Sequence, residues 1–357
     1  MQLDLANRKI EKTRGSLSSP HSRFNKGIST LPPDSFALVM ATGIVSIALK
    51  AFGNIFLSNL LFYLNIAFYA ILCVLFSFQL IHYWKRFRSQ FLNLEINMGF
   101  LSFVAANCIL GSQFTTIFGD FTLGIIFLSI GFLSWFLLLY SLFAIHIEKR
   151  YKTSIKAISG TWLLIVVATQ AISILSIQLV EHLPIYYEII LLIALLMFLV
   201  GCTFYVILIT LIVYRLLFFE VRAQKLKTPY WISMGADAIT VLAGLTLITM
   251  ANKWIIINEL LPFIKGLTLL FWAIGTWWIP IMVLLGIWRH FIKKIPVKYV
   301  SHYWGMVFPL GMYTVCTLKL SQSFELSFLM VIPKAFLIFS LITWIIVFIG
   351  MIFKIIR

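Results

Sequence analysis

The sequence predicts an all-α polytopic membrane protein, and three observations carry that prediction. Of the 357 residues, 61% are hydrophobic and only 11% are charged, with a mean hydropathy of +1.01; a soluble domain carries about a quarter charged residues. The apolar residues are gathered into ten segments long enough to cross a bilayer as helices. Basic residues cluster in every second loop between them, the pattern by which membrane topology is specified. The net charge of +16 is therefore a topological signal, and nucleic acid is excluded as a partner.

Residues 1–33 are polar and basic, with Arg8, Lys9, Lys12, Arg14, Arg23 and Lys26 against Asp4 and Glu11. No apolar stretch followed by a cleavage site occurs there, so a mobile cytoplasmic tail is expected, not a signal peptide. Residues 34–357 form the membrane domain, which starts after Leu31-Pro32-Pro33, where proline opens a helix without losing a hydrogen bond. The spans are expected at 34–53, 57–82, 97–118, 121–147, 159–180, 185–217, 230–252, 262–290, 302–321 and 327–353.

An even number of spans places both termini on one side. The tail shares that side with Lys85, Arg86 and Arg88; with Lys149, Arg150, Lys152 and Lys156; with Arg215, Arg222, Lys225 and Lys227; with Arg289, Lys293, Lys294 and Lys298; and with Lys354 and Arg357. The opposite loops hold Asp120, Glu181, Glu259 and Glu325 against Lys253 and Lys265. Both termini are thus expected in the cytoplasm, with the protein in the plasma (bacterial inner) membrane.

The odd spans begin near 34, 97, 159, 230 and 302, which makes five helical hairpins in series. Odd spans are rich in Gly, Ser, Thr, Asn and Gln, among them Gly43, Asn107, Gln113, Gln170, Asp237 and Thr317, whereas even spans are bulky and apolar. Such a division predicts an inner ring of odd helices lining a polar path and an outer ring facing lipid.

The ninth span departs furthest from an ordinary membrane helix. It contains Gly305, Pro309, Gly311 and Lys319, and Phe308, Met312, Val315 and Lys319 share one face. In the first span Val39, Gly43, Ser46 and Lys50 likewise share a face. Lys50 and Lys319 can snorkel to the headgroups or form a cationic vestibule. Asp237, roughly 10 Å inside the seventh span, either pairs with a basic neighbour or titrates and couples protons to transport.

No cofactor or metal site is read from the chain. Cys73, Cys108, Cys202 and Cys316 are scattered through apolar spans, and His21, His82, His146, His182, His290 and His302 lie at span ends or in loops. No hydrolase, metalloprotease or paired-carboxylate motif is present, which argues against an enzyme.

FALVMATGIVSIAL in the first span and the W-x-x-x-F-P-L-G-M-Y run of the ninth resemble the tellurite-resistance/dicarboxylate transporter family. That family includes TehA-type channels, malate and sulfite carriers, and plant slow anion channels. The resemblance covers the chain from about Asp34. It implies a quasi-five-fold arrangement in which the five odd helices surround a central pore, often within a homotrimer. It also implies that Phe308, in the matching F-P position, is the gate, and that Gly43 is the first-span glycine allowing close helix approach. Small inorganic or dicarboxylate anions are the implied cargo.

Anion passage needs hydrogen-bond donors and a positive potential without a trap too deep to leave. Gly43, Ser46, Lys50, Pro309, Met312, Val315 and Lys319 are the expected path residues. The function expected is passage of small anions through a phenylalanine-gated pore; the alternative is a proton-coupled C4-dicarboxylate or sulfite carrier.

Overall fold

The computed structural model describes residues 27–149, 155, 158–220, 228–296 and 299–356. The tail 1–26 and the basic loop residues Arg150, Lys152, Lys156, Arg222, Lys225, Lys227, Lys298 and Arg357 lie outside the described residues. The described chain is helical without strands. Its principal helices are α1 (Ala37–Ala51), α2 (Ile55–His82), α3 (Leu101–Gln113), α4 (Phe121–Glu148), α5 (Leu164–Leu179), α6 (Tyr187–Phe218), α7 (Ile232–Ile248), α8 (Leu261–Ile287), α9 (Trp304–Ser323) and α10 (Val331–Ile356).

Each expected apolar segment holds one of these helices. Among the described residues, eight helical stretches are long and apolar enough to cross a membrane. The third, including its flanking turns, covers Asn97–Phe118, and the fourth Phe121–Glu148. The helix at Ile232–Ile248 is apolar but shorter, and Trp304–Ser323 is not among the eight; its Pro309, Lys319 and run of Gly and Thr reduce its apolar character. The protein is an integral, multi-pass membrane protein.

Two hairpin turns are built alike. Gly53 (φ +82°) and Gly119 (φ +69°) take left-handed backbone that a side chain would oppose. The next residue caps the following helix: Asn54 Oδ1 accepts from the Leu57 amide at 3.2 Å, and Asp120 Oδ1 from the Leu123 amide at 3.0 Å. A two-residue sequence thus stops one helix and starts the next in the opposite direction.

α1 packs on α3, α3 on α5, α5 on α7, α7 on α9, and α9 back on α1, closing a ring. Each of α2, α4, α6, α8 and α10 packs against the ring helix that precedes it in the chain. Burial separates the two sets: the α1, α3 and α5 stretches are 78%, 78% and 94% buried, against 17–44% for the even helices. The exposed even faces carry residues such as Phe56, Leu133, Ile189, Leu270 and Ile346, a surface suited to lipid.

Glycines let ring helices meet closely. A Cβ on Gly43 would lie 2.6 Å from Ile109 of α3, one on Gly235 2.8 Å from Pro309 of α9, and one on Gly311 2.8 Å from Ile44 of α1. At the N-terminal end of the ring helices, His302 Nδ1 lies 2.5 Å from Asp34 Oδ2, fastening the entry of α9 to that of α1.

Candidate functional site

The ring encloses a cavity of about 490 Å³ at the end where its five helices terminate. All five contribute: Ile44 and Ile47 from α1, Ile109 and Ser112 from α3, Ala171, Ile174 and Gln178 from α5, Ile239, Leu242 and Leu245 from α7, and Met312, Val315 and Lys319 from α9. Thr116, Thr246, Thr249, Gln322 and Ser323 add polar groups near the mouth. Depth sorts the lining, with aliphatic side chains below and hydroxyl, amide and ammonium groups at the rim.

Polar residues of the ring helices mostly face outward. Tyr69 of α2 donates to Asn107 of α3 at 2.8 Å, and Trp135 of α4 to Thr169 of α5 at 2.9 Å. Tyr205 of α6 donates to Asp237 of α7 at 2.6 Å, Trp272 of α8 to Thr317 of α9 at 3.1 Å, and Trp344 of α10 to Thr42 of α1 at 3.0 Å. Every even helix therefore donates one aromatic N–H or O–H to the next ring helix, around the full circle.

This clasp fixes helix rotation. Two residues beyond Thr42, Asn107, Thr169 and Asp237 stand Ile44, Ile109, Ala171 and Ile239, and all four line the cavity. Positions i and i+2 lie about 200° apart around a helix. Anchoring the first to the outer ring turns the second toward the axis. The polar character of the odd spans is thus used between the two rings, while the deep wall is hydrocarbon, contrary to the expectation of a path lined by those polar side chains.

Of the expected path residues, Met312, Val315 and Lys319 line the cavity. Phe308 lies one helical turn before Met312 on the same face and is 1% exposed. Four residues before the lining positions Ile44, Ile109, Ala171, Ile239 and Met312 stand Met40, Ala105, Val167, Gly235 and Phe308. All five are buried. Phe308 is the largest side chain in that layer, and Ala105 and Gly235 are the smallest.

Gly43, Ser46, Lys50 and Pro309 are directed elsewhere. Gly43 faces Ile109, Asn65 and Gln113. Ser46 and Ser58 of α2 each donate to the other's carbonyl at 2.9 Å. Lys50 Nζ donates to the Ile117 carbonyl at 2.7 Å, satisfying the end of the turn that follows α3. Pro309 packs on Gly235, and α9 continues helical through it. On α1 the cavity face is the adjacent one, Ile44 and Ile47, because Gly43 and Ser46 are drawn to α2 and α3.

Asp237 is fully buried and its partner is a phenol, not a base. Tyr205 also accepts from Trp278 Nε1 at 3.2 Å, and Asp237 Oδ1 has no hydrogen-bond partner among the described residues. Gly275 of α8 packs on the Asp237 side chain, since a Cβ there would come within 2.9 Å of it. Sequence reading missed the aliphatic lining residues of α1, α3, α5 and α7. The available signal was their place two positions after a polar residue.

Residues 30–352 match the family model described as voltage-dependent anion channel, SLAC1. An uncharacterized membrane protein of Mycobacterium tuberculosis is 38% identical over 142 residues, 40% of this chain and 72% of that protein. An uncharacterized transporter of Methanocaldococcus jannaschii is 25% identical over 289 residues, covering 79% of this chain and 82% of its own. A second uncharacterized transporter of that organism is 24% identical over 312 residues, with 84% and 86% covered.

Proposed function

Because the chain belongs to the SLAC1 family of voltage-dependent anion channels, we propose that it passes small anions along the axis of the α1-α3-α5-α7-α9 ring, with Phe308 as the gate. The observation that carries this reading is the continuity of one face of α9. Met312, Val315 and Lys319 line the cavity, and Phe308 follows one turn deeper, where it is buried. A bulky ring at the floor of an aliphatic chamber excludes water, and its positive edge tolerates an anion better than a cation.

In this reading all ten helices cross the membrane as five hairpins, the ring lines the pore, and the termini lie in the cytoplasm, so the cavity opens outward. Lys319 at the rim draws anions to the mouth, and Val315 and Met312 lead them inward. Lys50 acts at the rim through the turn after α3. A homotrimer in the bacterial inner membrane is the proposed assembly and location. A proton-coupled dicarboxylate or sulfite carrier calls for a titrating group on the path, whereas Asp237 bonds to a helix of the outer set.

Planar-bilayer recordings of the purified protein in chloride, nitrate, sulfite and malate test this. Steady current that reverses at the anion equilibrium potential supports the channel. Saturable flux linked to a pH gradient, without unitary current, overturns it.

A further inference from the structure

The cavity is built for more than a hydrated inorganic ion. One of its lining residues is a cation, Lys319, which is exposed and has no ion-pair partner among the described residues. Gln322 stands three residues further along the same helix. Across the mouth, Gln178 accepts from Thr115 through Oε1 at 3.2 Å, which leaves its amide N–H₂ to serve as donor. Below these groups the wall is aliphatic, with Ile44, Leu242 and Met312 on three different helices. An inorganic anion in transit finds polar partners only at the rim; the wall below offers favourable contact only to hydrocarbon.

We propose that this chamber is a binding site for monocarboxylates bearing a compact hydrocarbon body, and that such a ligand obstructs the path. The carboxylate takes Lys319 and the Gln178 amide, and the body fills the space against Leu242 and Met312. One cation matches one carboxylate. A second carboxylate on the far end of the same body loses its hydration against hydrocarbon with nothing to pair it. The binding half of this proposal stands on the cavity itself; the obstruction half rests on the permeation reading above.

Equilibrium dialysis of radiolabelled 4-tert-butylbenzoate against the full-length protein in lipid nanodiscs, with empty discs subtracted, tests the site. Saturable uptake of one ligand per chain is expected. Acetate and terephthalate should compete at least about tenfold more weakly, and the ligand itself should bind Lys319→Gln more weakly by a similar factor, the loss of one charge-assisted contact. Leu242→Asn, which adds a polar group at a half-buried position, should weaken binding severalfold with an unchanged melting temperature. Uptake equal to that of empty discs overturns the site, as does equal competition by acetate or wild-type affinity in both variants.

In proteoliposomes, anion flux should fall over the same ligand concentrations that saturate dialysis. Binding without any fall overturns obstruction. Vesicles that show no anion flux before ligand is added count against the permeation reading, and dialysis then decides the site alone.

Discussion

Tyr205 Oη donates to Asp237 Oδ2 at 2.6 Å, and this bond turns the acid that lies deepest in a ring helix away from the axis of that ring. The phenol is held in turn by Trp278, so α6, α7 and α8 meet at one buried polar point. Tyr205→Phe strands both carboxylate oxygens and should cost about 1–3 kcal/mol of unfolding stability. Asp237→Asn keeps an acceptor for the phenol and should cost less. Anion flux through Asp237→Asn should retain the pH dependence of the wild type, as measured in proteoliposomes across a pH gradient. Loss of that dependence would make Asp237 a coupling group.

The other clasps bind neutral acceptors and should be worth less. Trp135→Phe and Trp344→Phe each remove one N–H donor, to Thr169 and Thr42, while keeping an aromatic ring in place. Interhelical hydrogen bonds in membrane proteins average about 0.6 kcal/mol. The two positions share no partner, so the double variant should show the sum. Unfolding curves in micelles measure both quantities; a strongly non-additive pair would mean that the ring responds as one unit.

The helices were legible in the sequence because a bilayer demands long apolar segments with every backbone group paired. The gaps between the expected spans, after 53 and after 118, fall where the structure places the Gly53-Asn54 and Gly119-Asp120 turns. Part of the α9 face was legible too, since Met312, Val315 and Lys319 are fixed relative to one another by helical spacing. Which way a polar side chain faces was not. Thr42, Asn107 and Thr169 satisfy a membrane equally well by bonding to water on an axis or to an aromatic donor on a neighbouring helix. Only the partners Trp344, Tyr69 and Trp135 decide between the two, and they are remote in sequence. The same ambiguity separates the α1 face of Gly43, Ser46 and Lys50 from the adjacent face of Ile44 and Ile47, which lines the cavity.

Gly235 sits where α7 meets Pro309, and a Cβ there would stand 2.8 Å from the proline Cγ. The pyrrolidine cannot rotate away, so Gly235→Ala must push the two helices apart. Overpacking of this kind costs about 1–3 kcal/mol. A methyl added at Gly266 would meet no atom within 4 Å, and Gly266→Ala is the matched control. It should be neutral or stabilising by up to about 1 kcal/mol. Thermal unfolding of the two variants beside the wild type reads the difference.

Lys253 pairs with Glu181 at the exposed surface. The carboxylate holds the ammonium above the usual lysine value of 10.5. A raised folded-state pKa stabilises below the unfolded value, and that contribution fades as pH rises through the folded one. The melting-temperature difference between wild type and Lys253→Gln should therefore be constant through neutral pH and close at the two extremes, in strong alkali as Lys253 loses its proton and in acid as Glu181 gains one. Both groups are solvated, so the difference should be small and should shrink with added salt. A difference that changes across the neutral range, about pH 6 to 8, would point to a histidine instead.

Phe308 is where the proposed path closes, and its neighbours in the layer make the outcome of truncation specific. By helical register the other positions of the layer hold Met40, Ala105, Val167 and Gly235, all smaller than the ring, and the space at Gly235 is filled by Pro309. Phe308→Ala removes the largest side chain of the layer without opening the packing of Pro309 on Gly235, which lies on a different face of α9. Anion current should rise by on the order of tenfold, equivalent to a barrier lowered by ~1.4 kcal/mol. Phe308→Leu should fall between the two, because a branched side chain still excludes water but spans less of the layer. Single-channel recording at matched protein density measures all three. An unchanged current in a Phe308→Ala protein that melts normally would remove Phe308 from the gate and move the constriction to the Met312 level.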